Sequence, residues 1–74
     1  MALYRVSRCR LRSLLAERNM TLRDLERATG ISYSSLRRYD KAQRVMPVDV
    51  AYTIMLVLNV DRIEDLYDFE LYIL

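Results

Sequence analysis

The sequence predicts an all-α fold, a bundle of five short helices, with terminal alternations that allow a brief strand at each end. Three observations carry this. Apolar residues recur three and four apart in successive segments, as at Leu11, Leu14 and Leu15 and again at Leu22 and Leu25. Helix-start signals stand at Thr21 with Asp24, at Ser32 and at Pro47. The single glycine, Gly30, falls between two helical stretches, where a left-handed residue ends one helix before the next begins.

Each element follows from its residues. Ala2, Tyr4 and Val6 alternate and suit a brief strand over 2–6. Ser7 is placed to cap a first helix running to about Arg18, with Asn19 tolerating a left-handed ending. Thr21-x-x-Asp24 is a capping box, and Met20 and Leu25 flank it as a hydrophobic staple. This second helix stops at Thr29, before Gly30. Ser32 caps a third helix from Tyr33 to about Lys41, and Ile31 can staple onto Leu36. Pro47 opens a fourth helix to Leu58, whose core face is read as Val48, Ala51, Met55 and Leu58, and Asn59 ends it. Asp61 caps a short fifth helix through about Tyr67. The tail "DFELYIL" alternates again and can pair with residues 2–6.

Length and composition set bounds. Seventy-four residues suit one small domain, read as spanning 1–74 with an apolar tail. Such a domain buries only about 60% of its unfolded surface. One cysteine, Cys9, allows no internal disulfide, and without histidine a conventional zinc cluster is not expected. No apolar run has the ~18 residues of a membrane span, and a lone cysteine suits the reducing cytoplasm. The expectation is a cytoplasmic protein with no metal, cofactor or membrane partner. Net charge is only +2, but it is unevenly spread. Residues 1–45 hold eleven cations against four acids, and residues 46–74 hold one cation against six acids. That split suggests a basic working face and an acidic far side.

Leu22, Leu25, Ile31, Leu36 and Tyr39 fix two packed helices joined through Gly30, the helix-turn-helix pattern. Leu36 and Tyr39 face inward, so Tyr33, Ser34, Arg37, Arg38 and Lys41 form an outward face free of acids. The bland reading makes Arg37 and Arg38 solvated surface and lets Tyr33 pack sideways on the second helix. The sharper reading sets this helix in a major groove ~12 Å wide, where arginine reads guanine by two hydrogen bonds.

The stretches "LRSLLAERNMTLRDLERATGIS", "YSSLRRYDK" and "PVDVAYTIMLVLNVDRIEDLY" occur in the order of the lambda-repressor/Cro (XRE) family, which the chain resembles from Arg10 to Leu66. The resemblance implies a lambda-repressor-like bundle that binds double-stranded operator DNA as a dimer. It places base contacts on Ser32, Tyr33, Ser34, Arg37 and Arg38, and phosphate contacts on Thr21, Arg23, Lys41 and Arg44. The chain departs from the family pattern at three places. Leu22 stands where a polar residue is frequent, Glu26 where a small one is common, and "DKAQR" lacks a glycine. Glu26 is expected either to tilt the third helix or to point its carboxylate outward.

The fourth helix is apolar nearly all round, which calls for cover on every side. Either the tail or another chain must supply it. The expectation is a homodimer through Val50, Tyr52, Leu56, Val57, Phe69, Leu71 and Ile73. The leading function is therefore a repressor-like, sequence-specific regulator of phage or bacterial style. The alternative is a protein-interaction module, an antitoxin or antirepressor, that grips its partner with the same surface. An enzyme is not expected: histidine and a glycine-rich phosphate loop are absent, and Cys9 has no base to activate it.

Overall fold

A computed structural model describes residues 2–73, with side chains described for 3–72. The order is β1 (Ala2–Cys9), α1 (Leu11–Glu17), α2 (Leu22–Thr29), α3 (Tyr33–Asp40), α4 (Val48–Val57), α5 (Ile63–Leu66) and β2 (Tyr67–Ile73). Five helices are present, as expected, but the fold is mixed rather than all-α. The two strands pair antiparallel, Tyr4 opposite Leu71 and Val6 opposite Phe69, and so tie the two ends of the chain together.

β1 is longer than the alternation in 2–6 suggested, and it displaces the start of α1. Ser7 does not cap a helix; its hydroxyl donates to the Asp68 carbonyl across the sheet at 3.2 Å. Pairing continues to Cys9, and Arg10 N–H donates to the Leu66 carbonyl at 2.8 Å, so α1 begins only at Leu11. Ser7 is also the extra residue of a bulge between Val6 and Arg8. The bulge shifts the side-chain phase of β1 by one. Cys9 thereby lies opposite buried Tyr67, where an unbroken register would set Arg8. Burial raises the Cys9 thiol's pKa and pushes the Tyr67 hydroxyl up to about 12. That hydroxyl accepts the Met46 N–H at 3.1 Å, so the strand also anchors the loop before α4.

The core is built from Leu11, Leu15, Leu25, Leu36, Ile54, Leu58 and Leu66, all essentially inaccessible. Leu22 and Tyr39 are buried with them, and Met20 and Ile31 pack against the cluster from its edge. The capping box at the start of α2 forms in full. Thr21 Oγ1 accepts from Asp24 N–H at 3.1 Å, and Asp24 Oδ2 accepts from Thr21 N–H at 2.9 Å. These bonds, first the Thr21 N–H and then Arg27, hold the Asp24 carboxyl below its usual range.

Four turns end the first four helices, each with one left-handed residue. Gly30 sits at φ 78 and its N–H closes onto the Glu26 carbonyl at 2.8 Å. Asn19, Ala42 and Asn59 occupy the equivalent place in three tighter turns, with φ of 53, 56 and 57. In the turn after α3, Ala42 N–H bonds the Tyr39 carbonyl and Gln43 N–H the Arg38 carbonyl, the double closure of a Schellman motif. Asparagine tolerates this backbone, whereas alanine adopts it only at an energetic cost. A Cβ on Gly30 would meet nothing within 4 Å, so its requirement is one of backbone angle, not space. Gly30→Ala is therefore expected to cost about 1 kcal/mol and lower Tm by about 4–8 °C. Ala42→Gly is expected to act in the opposite direction, by about 0.5–1 kcal/mol, because it removes the same strain. Thermal unfolding of the two variants checks both signs.

Two further expectations are corrected near the C-terminal half. Val48 is 86% exposed, and the buried face of α4 is Ala51, Ile54 and, just beyond the helix, Leu58. Pro47 precedes the helix as its cap residue and sets Val48 on the outer side. α5 spans only four residues, with Arg62 rather than Asp61 at its cap position, and it ends before Tyr67 because Tyr67 already pairs in β2. No helix among the described residues is long and apolar enough to cross a membrane.

Candidate nucleic-acid interface

α3 is anchored on its inner side by Leu36 and Tyr39, which are buried. With those two fixed, the 3.6-residue period turns Ser34, Arg37 and Arg38 to solvent. Tyr33, Ser34, Arg37, Arg38, Lys41 and Gln43 line one shallow, open depression of about 330 Å³. Gln43 joins this surface without any sequence signal. The reversed backbone at Ala42 carries it back alongside the helix, and Arg44 follows with its N–H 3.4 Å from the Arg38 carbonyl.

Charge pairing separates this surface from the rest of the molecule. Seven of the twelve cations are engaged. Arg5 meets Glu70, Arg10 meets Asp68, Arg12 meets Asp40, Arg23 meets Glu26, Arg27 meets Asp24 and Arg62 meets Glu64. Arg18 donates to the Leu58 and Leu14 carbonyls. Among the described residues the cations with no such partner are Arg8, Arg37, Arg38, Lys41 and Arg44. Four of these five lie on α3 or just past it. The simple split into a basic and an acidic side is thus revised. Two acids of the C-terminal half, Asp68 and Glu70, sit across the sheet and neutralise N-terminal arginines. What remains uncompensated is concentrated on one helix.

The leading end of α3 is built differently. Ser32 is its cap: Ser32 Oγ accepts from Ser35 N–H at 3.2 Å and donates to Ser35 Oγ at 3.0 Å. Tyr33 N–H donates to Glu26 Oε2 at 3.0 Å, and Glu26 Oε1 accepts from Arg23 Nη1 at 3.4 Å. The Arg23 guanidinium lies over the Tyr33 ring, 3.9 Å from its centroid. The carboxylate of Glu26 therefore points neither into a helix crossing nor freely outward. It ties α2 to the first residue of α3. Thr21 and Arg23 both remain exposed beside it.

A second surface is open and apolar. β2's Tyr67 and Phe69 and β1's Val6 form one wall of a groove of about 350 Å³, and α4's Val48, Tyr52 and Met55 form the other. Tyr52 is 64% and Phe69 42% exposed. Leu56, Val57 and Leu71 are exposed as well, whereas Val50 is half-buried against the core. The Ile73 side chain lies outside the described residues, though its backbone pairs with Ala2. The tail thus borders α4 without covering it. Val45 and Ile63, which carried no sequence signal, and Val48, which the helical spacing had placed in the core, also line the groove.

No curated protein and no solved structure matches the chain. A family model, by contrast, matches residues 10–71, which include every helix and most of β2. The chain belongs to the family of Cro/C1-type HTH DNA-binding domains.

Proposed function

We propose that the chain is a sequence-specific, repressor-like regulator that works as a homodimer and lays α3 in the major groove. One observation carries the reading: the cations left without acidic partners gather on α3 and its exit. Eight helical residues span about 12 Å, a length suited to a groove ~12 Å wide. In this pose Arg37 and Arg38, with Tyr33 and Ser34, face base edges. Ser32 sets the helix start rather than reading a base, because its hydroxyl is already engaged with Ser35. Thr21, Arg23, Lys41 and Arg44 flank the helix at both ends and take phosphates. The exposed groove between β2 and α4 supports a second copy of the chain as its occupant. An antitoxin or antirepressor role alone would leave the bare cations of α3 without a purpose.

Selection of bound duplexes from a random pool tests this directly. The expected result is a palindromic consensus with half-sites one helical turn apart, because a two-fold dimer presents two recognition helices. Arg23, Lys41 and Arg44 from two protomers give about six phosphate contacts, so log K should fall against log salt with a slope of about −5. A chain that binds no duplex at low salt is not such a regulator.

A further inference from the structure

The outer surface of α3 does not stop where the helix does. Gln43 lies past Asp40, the last helical residue, yet it lines the same depression as Ser34, Arg37, Arg38 and Lys41. Two backbone features hold it there. Ala42 takes the left-handed angle, φ 56, and reverses the chain. Gln43 N–H then donates to the Arg38 carbonyl at 2.9 Å. The backbone of Gln43 is thereby fixed relative to Arg38, one of the two arginines set toward base edges. Arg44, the next residue, is outside the lining of the depression.

Resting on the DNA-binding reading, the geometry points to Gln43 as a specificity-determining residue that reads adenine from the turn after α3, beside the base met by Arg38. Gln43 is exposed, and its side-chain amide has no hydrogen-bond partner among the described residues. It is the one amide side chain lining the depression. A neutral amide displaces no counterions, so it adds little to the salt-dependent attraction that cations supply. What it offers is a donor and an acceptor side by side, the pair that matches adenine N7 and N6 in the major groove. Because the turn is already closed onto Arg38, only the side chain has to be ordered on binding, which keeps the cost of the contact low.

Two substitutions test it, each carried through selection from a random pool beside the wild-type chain and Arg38→Ala. Anisotropy titrations on the selected duplexes give the affinities. Gln43→Ala keeps the N–H that bonds Arg38 and removes only an exposed side chain, so its melting temperature should match that of the wild type. The wild-type consensus is expected to hold an adenine next to the position whose preference Arg38→Ala loses. Gln43→Ala is expected to lose the preference at that adenine alone, and to bind the wild-type consensus about 5- to 150-fold more weakly per half-site. Gln43→Glu keeps the length of the side chain but only accepts hydrogen bonds, and is expected to exchange adenine for cytosine there. The inference is overturned if Gln43→Ala selects the wild-type consensus. Unchanged affinity would then mean no contact, and an equal loss on every duplex would mean a contact to the DNA backbone. A lost preference for a base other than adenine overturns it as well. A wild-type chain that binds no duplex at low salt instead removes the DNA-binding reading itself, and this inference with it.

Discussion

Replacing Arg37 and Arg38 together by alanine is expected to weaken binding to the selected duplex by about 2–6 kcal/mol, taking 1–3 for each lost arginine contact. That corresponds to a loss of at least about 30-fold. The reasoning starts from what the two side chains do not do in the free protein. Both are exposed, and neither has an acidic or hydrogen-bonding partner among the described residues. Their one intramolecular contribution is to sit in the last turn of α3, where a cation favours the helix dipole by about 0.3–1 kcal/mol. A fold that needed them only for that would lose a few degrees of Tm and nothing else. The double variant should therefore keep its helical content and most of its stability while losing DNA. Lys41→Ala offers the contrast. It should weaken binding to all sequences alike and reduce the salt slope by about 1 per protomer, as a phosphate contact does. Anisotropy titrations at several salt concentrations read both. Unchanged affinity in the double arginine variant would show that α3 is not the reading helix.

The local features of the fold were legible because their causes lie within three or four residues. Thr21 and Asp24 bond each other, Ser32 bonds Ser35, and Gly30 takes the angle that only its lack of Cβ makes easy. The core pattern of α2 and α3 was legible for the same reason, since Leu22, Leu25, Leu36 and Tyr39 follow helical spacing. What the sequence concealed is decided by distant partners. Ser7 reads as a helix cap until Asp68 is seen to take its hydroxyl from across the sheet. Asp61 reads as a cap, but the helix starts only at Ile63, behind Arg62, and the pairing of Tyr67 with Cys9 ends it early. Val48 fits a helical stripe, but the turn at Pro47 puts it outside. At the interface, the composition of α3's outer face was legible, and the pairing state of its charges was not. Arg5, Arg10 and Arg12 look as free in sequence as Arg37 and Arg38, and only the sheet and the packing of α1 on α3 match them to acids. Glu26 is the clearest case. Its bulk was visible, while its bond to Tyr33 seven residues away depends on the tight corner at Gly30.

For the proposed homodimer, Phe69→Asp combined with Tyr52→Asp is expected to abolish association and to cost about 10²–10⁴-fold in affinity for a two-half-site duplex, the advantage that linking two binding modules provides. Both side chains border the groove between β2 and α4, and neither is part of the buried core. A carboxylate there leaves the monomer's fold intact, because the face is already open to water. Across a two-fold axis the same substitution meets itself, so two anions would be brought together in an apolar contact. Aromatic anchors in such a contact commonly account for 2 kcal/mol or more each. The acidic pair should therefore abolish association without lowering the helical signal. Affinity for a single half-site should stay near that of the wild-type chain, because α3 and its cations are untouched. Sedimentation equilibrium gives the mass, and titration of duplexes with one and two half-sites gives the two affinities. A wild-type chain that sediments as a monomer at high concentration, or an acidic variant that remains dimeric, would rule out this face as the meeting surface of two copies.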